Sequence, residues 1–129
     1  IQSLHEIILK GSSKPQKQGD IRRHDIKQAY IDKLLSAFHP KRTIAVAWDA
    51  GNGAAGEIME ALCRSLQGNH IALNAVIDGR FPVHHPDPSV AENLYQLVDK
   101  VKQSKLDVGV AFDGDGDRVG IIDDEGFII

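Results

Sequence analysis

The sequence predicts an α/β fold: a three-layer α/β/α sandwich on a four-stranded mixed sheet whose last strand is antiparallel. Three observations predict it. Short, β-branched apolar runs alternate along the chain with segments whose apolar residues recur every three or four positions. The helical segments are long enough to return the chain as right-handed parallel crossovers. The last two strand-like runs are joined by only six residues, Asp113 to Arg118, too few for a parallel crossover.

The elements follow in order. Residues 1–9 space Ile1, Leu4, Ile7 and Ile8 as a helix does, and the polar, Gly- and Pro-containing run 10–20 reads as a linker or exposed loop. Asp20 or Asp25 is placed to cap a second helix, in which Ile26, Tyr30, Ile31, Leu34 and Leu35 share a face and which Pro40 ends. "TIAVAW" (43–48) is a buried strand, "DAGNGAAG" a turn, 57–66 a helix, and "IALNAVI" (71–77) the second strand. A proline-rich loop, "DGRFPVHHPDPS", leads to a helix over 90–103 with Leu94, Leu97, Val98 and Val101 inward. Strands at 106–112 and 119–123 follow, and Glu125-Gly126 turns the chain into "FII". No internal repeat is present.

The chain has 129 residues, about one ordinary domain, with 42% hydrophobic and 26% charged residues, enough to build a core. A net charge of −3 argues against nucleic acid as a partner. No apolar run approaches the roughly 20 residues that span a bilayer, so no membrane partner is expected. The one cysteine, Cys63, rules out an internal disulfide and suits a reducing, cytoplasmic location; its place in a helical pattern makes it a small buried hydrophobe. The chain begins on Ile1 and stops inside an apolar run, as a piece of something longer would.

Chemistry concentrates in "AFDGDGDRVG" (111–120). Asp113, Asp115 and Asp117 stand at i, i+2 and i+4 beyond a predicted strand end, where open α/β sheets form ligand sites. The glycines let the backbone curl so that the carboxylates converge, and three converging carboxylates suit a hard cation: Mg²⁺, Mn²⁺ or Ca²⁺. An EF-hand would need glycine where Arg118 stands, and flanking helices where strands are predicted. Arg118 can hold a phosphate oxygen. "GNGAAG" (Gly51–Gly56) follows a strand, opens a helix and has Asp78 near the next strand end, so a dinucleotide-binding module is the alternative reading. Against it, Asp49 and Asn52 crowd the bend, and either could meet free N–H groups of the helix instead. In the proline-rich loop, His84 and His85 are adjacent in an extended segment and point opposite ways, so joint metal ligation is not expected; the loop is read as a rigid support for helix 90–103. His5, His24, His39 and His70 are read as surface residues.

"WDAGNGAAG", "DGRFPVHHPDP" and "DVGVAFDGDGDRVG", in this order and spacing, resemble the second domain of the α-D-phosphohexomutases, and most of all its bacterial phosphomannomutase/phosphoglucomutase branch. The resemblance covers about residues 25–129. It implies that residues 1–20 are the end of a preceding domain and a linker, and that 21–129 form the metal-binding domain II. It further implies an enzyme that interconverts hexose 6-phosphate and hexose 1-phosphate through a phosphoserine and a bisphosphorylated sugar. By the same resemblance Asp113, Asp115 and Asp117 hold Mg²⁺, Arg118 lies beside the phosphate in transfer, and the partner is a phosphosugar. The phosphoserine loop typical of the family is absent from these 129 residues: Ser3, Ser12, Ser13 and Ser36 sit in no such context. The chain alone is therefore expected to be inactive.

Overall fold

The computed structural model describes residues 2–11 and 19–129. The expected linker at 10–20 lies largely outside the described residues. The elements run α1 (Gln2–Lys10), α2 (Lys27–Ala37), β1 (Val46–Asp49), α3 (Gly56–Ser65), β2 (His70–Leu73), a 3₁₀ turn (Ala91–Leu94) continuing into α4 (Tyr95–Ser104), β3 (Val108–Phe112) and β4 (Val119–Asp123). The sheet order is β2-β1-β3-β4, with β1 parallel to β2 and β3, and β3 antiparallel to β4. The predicted mixed sheet is thus present, with α4 on one face and α3, backed by α2, on the other.

The α4 face holds the closed core. Leu94, Leu97 and Val101 are buried against Ala47, Ala111 and Ile122, and Val98 packs at the margin, as the helical spacing predicts. Each large aliphatic side chain buried this fully contributes about 1.5–3 kcal/mol of transfer free energy. The opposite face is looser. Trp48 and Phe112 stack there with ring centroids 6.3 Å apart, and a cavity of about 430 Å³ opens between them and Tyr30, Leu34, Ile58 and Met59.

Local chemistry moved several boundaries. Asp25 accepts the Lys27 N–H (2.9 Å) just ahead of α2, but the N-cap is Ile26, with no side-chain cap bond; of the apolar stripe only Ile31 is buried, while Ile26 and Tyr30 stay exposed. β2 covers four residues rather than seven: Asn74 takes a left-handed conformation (φ 50°), which no strand continues through, and the backbone beyond it turns away. Neither Asp49 nor Asn52 caps α3, whose N-cap is Ala55; Asp49 faces the Gly51 N–H, and the Asn52 amide donates to the Val76 carbonyl. His70 is not a free surface residue either: it is half-buried, and its Nδ1 accepts the Trp48 indole N–H at 3.1 Å. Cys63 is half-buried, and burial pushes its thiol up to about 11, so it stays protonated and inert.

Candidate metal centre

The carboxyl ends of β1, β2 and β3 lie in register at one edge of the sheet, because Asp49 pairs with Leu73 on one side and with Ala111 on the other. From β1 the chain crosses to β2 on one side, while β3 lies on the other, so a crevice forms beyond β1 and β3. Three loops fill it: the glycine turn after β1, the proline loop before α4, and the aspartate loop between β3 and β4.

The aspartate loop is a tight turn. The Asp113 carbonyl accepts the Gly116 N–H (3.2 Å), Gly116 has φ +79°, and the Asp113 N–H donates to the Arg118 carbonyl (3.3 Å). Curled in this way, Asp113, Asp115 and Asp117 bring one carboxylate oxygen each to within 4.8 Å of the others. Asp113 is buried, and the other two are exposed. The donors are all hard carboxylate oxygens, which suits Mg²⁺, Mn²⁺ or Ca²⁺ rather than a softer transition metal.

The charges on this loop are unevenly balanced. Asp113 accepts the Arg118 backbone N–H (3.1 Å) and the Arg118 Nε–H (2.8 Å). These bonds, the backbone one foremost, hold its carboxyl well below the usual carboxylate range. Asp117 is pushed the other way, by the charge of Asp115 and then that of Asp113. Protein groups therefore satisfy one of the three carboxylates and leave negative charge on the rest. The loop borders the start of α3, where the positive end of the helix dipole lies: a Cβ on Gly116 would stand 3.4 Å from Ala55 Cβ.

The glycine turn supports this loop. The Ala54 N–H donates to the Gly114 carbonyl (2.9 Å), and a Cβ on Gly53 would fall 2.7 Å from that same oxygen. The space a pyrophosphate would need is thus filled by the aspartate loop's own backbone. Asp78, the candidate ribose ligand, is spent on Arg80 through contacts of 2.6 and 2.9 Å. The dinucleotide reading has no site left in this turn.

The proline loop holds the residues that the sequence reading missed. His84 turns inward and meets the fully buried Asp49 (Nε2–Oδ2 2.9 Å), which also accepts the Asn74 amide (2.8 Å). His85 points outward, its ring edge-on to Phe81, so the two histidines do diverge as expected. The Asn93 amide donates to the Asp87 carbonyl (3.0 Å), tying the loop to the start of α4. The Asp87 carboxylate accepts the Arg118 Nη1–H at 3.0 Å. A Pro-Asp-Pro sequence signals a rigid backbone, but nothing in the sequence says which cation 31 residues away that aspartate will meet.

Residues 28–126 match the family described as phosphoglucomutase/phosphomannomutase, alpha/beta/alpha domain II. The chain is 43% identical over 129 residues to a phosphomannomutase/phosphoglucomutase of Pseudomonas syringae pv. tomato, and 42% identical over 130 residues to a phosphoglucomutase of Neisseria gonorrhoeae. In both cases all of this chain aligns with 28% of the relative's length. A solved structure of a phosphoglucomutase/phosphomannomutase family protein from Burkholderia thailandensis superposes with a TM-score of 0.88 at 35% identity, covering 99% of this chain and 28% of that one.

Proposed function

The chain belongs to the phosphoglucomutase/phosphomannomutase family, as its alpha/beta/alpha domain II, and from that premise we propose that it supplies the divalent-metal centre of a phosphohexomutase. The reaction is the interconversion of hexose 6-phosphate and hexose 1-phosphate by way of a phosphoserine and a bisphosphorylated sugar. The relatives' names support a phosphosugar as substrate. Because this chain spans 28% of their length, the serine and the sugar-reading loops are assigned to other parts of the complete protein. We place the protein in the cytoplasm, and no helix among the described residues is long and apolar enough to cross a membrane.

The observation that carries this reading is the convergence of three carboxylate oxygens within 4.8 Å. Asp113, Asp115 and Asp117 would hold Mg²⁺, with Asp113 fixing the loop and the exposed pair facing the approaching partner. Bound there, the cation would neutralise charge on the phosphoryl group and the serine oxygen, which is what phosphoryl transfer requires. Arg118 supplies the second positive charge. Its Nε–H and one Nη1–H are engaged, so the Nη2 hydrogens are the ones left for a phosphate oxygen. Residues 1–20 are read as the end of a preceding domain and its linker, and 21–129 as domain II.

The test is Asp115→Asn in the complete protein. Asp115 is exposed, so the fold should survive with an unchanged melting temperature or a slightly higher one. Mutase turnover should fall by at least about a hundredfold, the scale of losing a transition-state charge stabiliser. Turnover close to the unsubstituted level would overturn the proposal. The 129-residue chain alone should show no turnover.

A further inference from the structure

We propose that Asp87 is a positioning residue for this centre: by holding the Nη1 side of Arg118 it keeps the guanidinium off Asp117 and leaves that carboxylate open to a cation. The inference rests on reading Asp113, Asp115 and Asp117 as a cation site, and it assigns a role to a residue outside that triad.

The geometry of Arg118 is the first support. A guanidinium beside a single carboxylate pairs with it through two parallel N–H bonds. Arg118 does otherwise. Its Nε donates to Asp113 Oδ2 at 2.8 Å, its Nη1 donates to Asp87 Oδ1 at 3.0 Å, and its Nε stands 3.8 Å from Asp117 Oδ1. The side chain is strung between two loops, and its distance from Asp117 is about an ångström longer than a charge-assisted hydrogen bond. A small swing toward Asp117 would close that gap and occupy lone pairs that a cation would use. A guanidinium held at Nη1 by Asp87 is less free to make that swing.

The second support is that Asp87 is fixed independently of the aspartate loop. Its Oδ1 accepts the Ser89 N–H (3.1 Å) and the Ser89 hydroxyl (2.7 Å). Its carbonyl takes the Asn93 amide. Pro86 and Pro88 flank it and are buried, and the loop behind it is anchored by His84 on the buried Asp49. Hydrogen bonds from Ser89, side chain first, hold the Asp87 carboxyl below its ordinary value, so it is charged at neutral pH. A charge held this firmly can set the position of Arg118, whose side chain is 55% exposed.

Mn²⁺ titration of the 129-residue chain, read by paramagnetic broadening of the Gly114 and Gly116 amide signals, tests the inference; melting curves for each variant monitor folding. Asp87→Asn keeps an acceptor for Ser89 but removes the charge that draws Arg118. It should weaken Mn²⁺ binding on the order of fivefold, the coupling expected of groups sharing one ion-pair network. Ser89→Ala disturbs the turn and keeps the charge, so it should change affinity by less than about twofold. In an Arg118→Gln background, Asp87→Asn should also change affinity by less than about twofold, because no guanidinium remains to be released. If Asp87→Asn melts too early to titrate, Asp87→Ser takes its place, since a serine hydroxyl can serve the same turn. An unchanged affinity in Asp87→Asn overturns the positioning role. So does an equal loss with and without Arg118, which marks a general effect of charge or structure. A parent chain whose amide signals show no saturable broadening overturns the cation-site reading itself, and this inference with it.

Discussion

Asp113 and Asp117 are the same residue type four positions apart in one loop, yet their environments push them in opposite directions. Asp113 is held ionised by the Arg118 backbone and side chain. The Asp117 carboxyl is raised above its ordinary value of 3.8 by its acidic neighbours. A carboxyl whose folded pKa is raised adds stability below pH 3.8, and that stability is lost as the pH rises through the raised value. In metal-free buffer, Asp117→Asn is therefore expected to raise the melting temperature at pH 7 and to leave it unchanged at pH 3. Thermal melts at the two pH values check this, and equal effects at both would contradict the charge-repulsion account. At the residue scale the convergence of Asp113, Asp115 and Asp117 was legible, because alternating spacing with intervening glycines lets acidic side chains meet. The role of Asp87 was not legible, since pairing across 31 positions depends on how two loops pack. Asp49 was misread, placed beside a helix start but found buried on His84 and Asn74.

The glycine-rich turn is the element whose chemistry is easiest to misread. Its pattern resembles a phosphate cradle, but its glycines bring two loops of the same chain into contact. Gly53→Ala would set a Cβ 2.7 Å from the Gly114 carbonyl oxygen and 3.0 Å from its Cα. Backbone cannot step aside as a flexible side chain can, so a cost of about 1–3 kcal/mol is expected. Mn²⁺ affinity should fall with it, because the loop that moves is the one bearing the aspartates. Denaturant unfolding together with Mn²⁺ titration would show both effects, and a Gly53→Ala chain with native stability and affinity would contradict the clasp. Helix periodicity located α4 and its inward face, and the six-residue joint fixed the antiparallel β4. The early end of β2 was hidden because the left-handed turn at Asn74 is stabilised by contacts at a distance: its carbonyl accepts the Asn52 N–H, and its side chain bonds to Asp49 and Gln96.

For the molecule as a whole, the two faces of the sheet are packed to different degrees. α4 closes one face over Leu97, Val101 and Ile122, while the Trp48–Phe112 face keeps a cavity under α2 and α3. Both faces converge on the same edge, where three loops meet around one acidic turn. The overall architecture was legible because alternating strand and helix patterns leave few ways to wind a parallel sheet. The asymmetry of the faces was not, because the exposure of Ile26 and Tyr30 depends on how far α2 stands from the sheet. The central claim, that Asp113, Asp115 and Asp117 bind a divalent cation, is tested most directly by anomalous scattering from crystals of this chain soaked in Mn²⁺. The account expects one strong peak among the three carboxylates, missing in Asp115→Asn crystals treated the same way. A soaked crystal with no peak there, and with the three side chains turned apart into solvent, would contradict it.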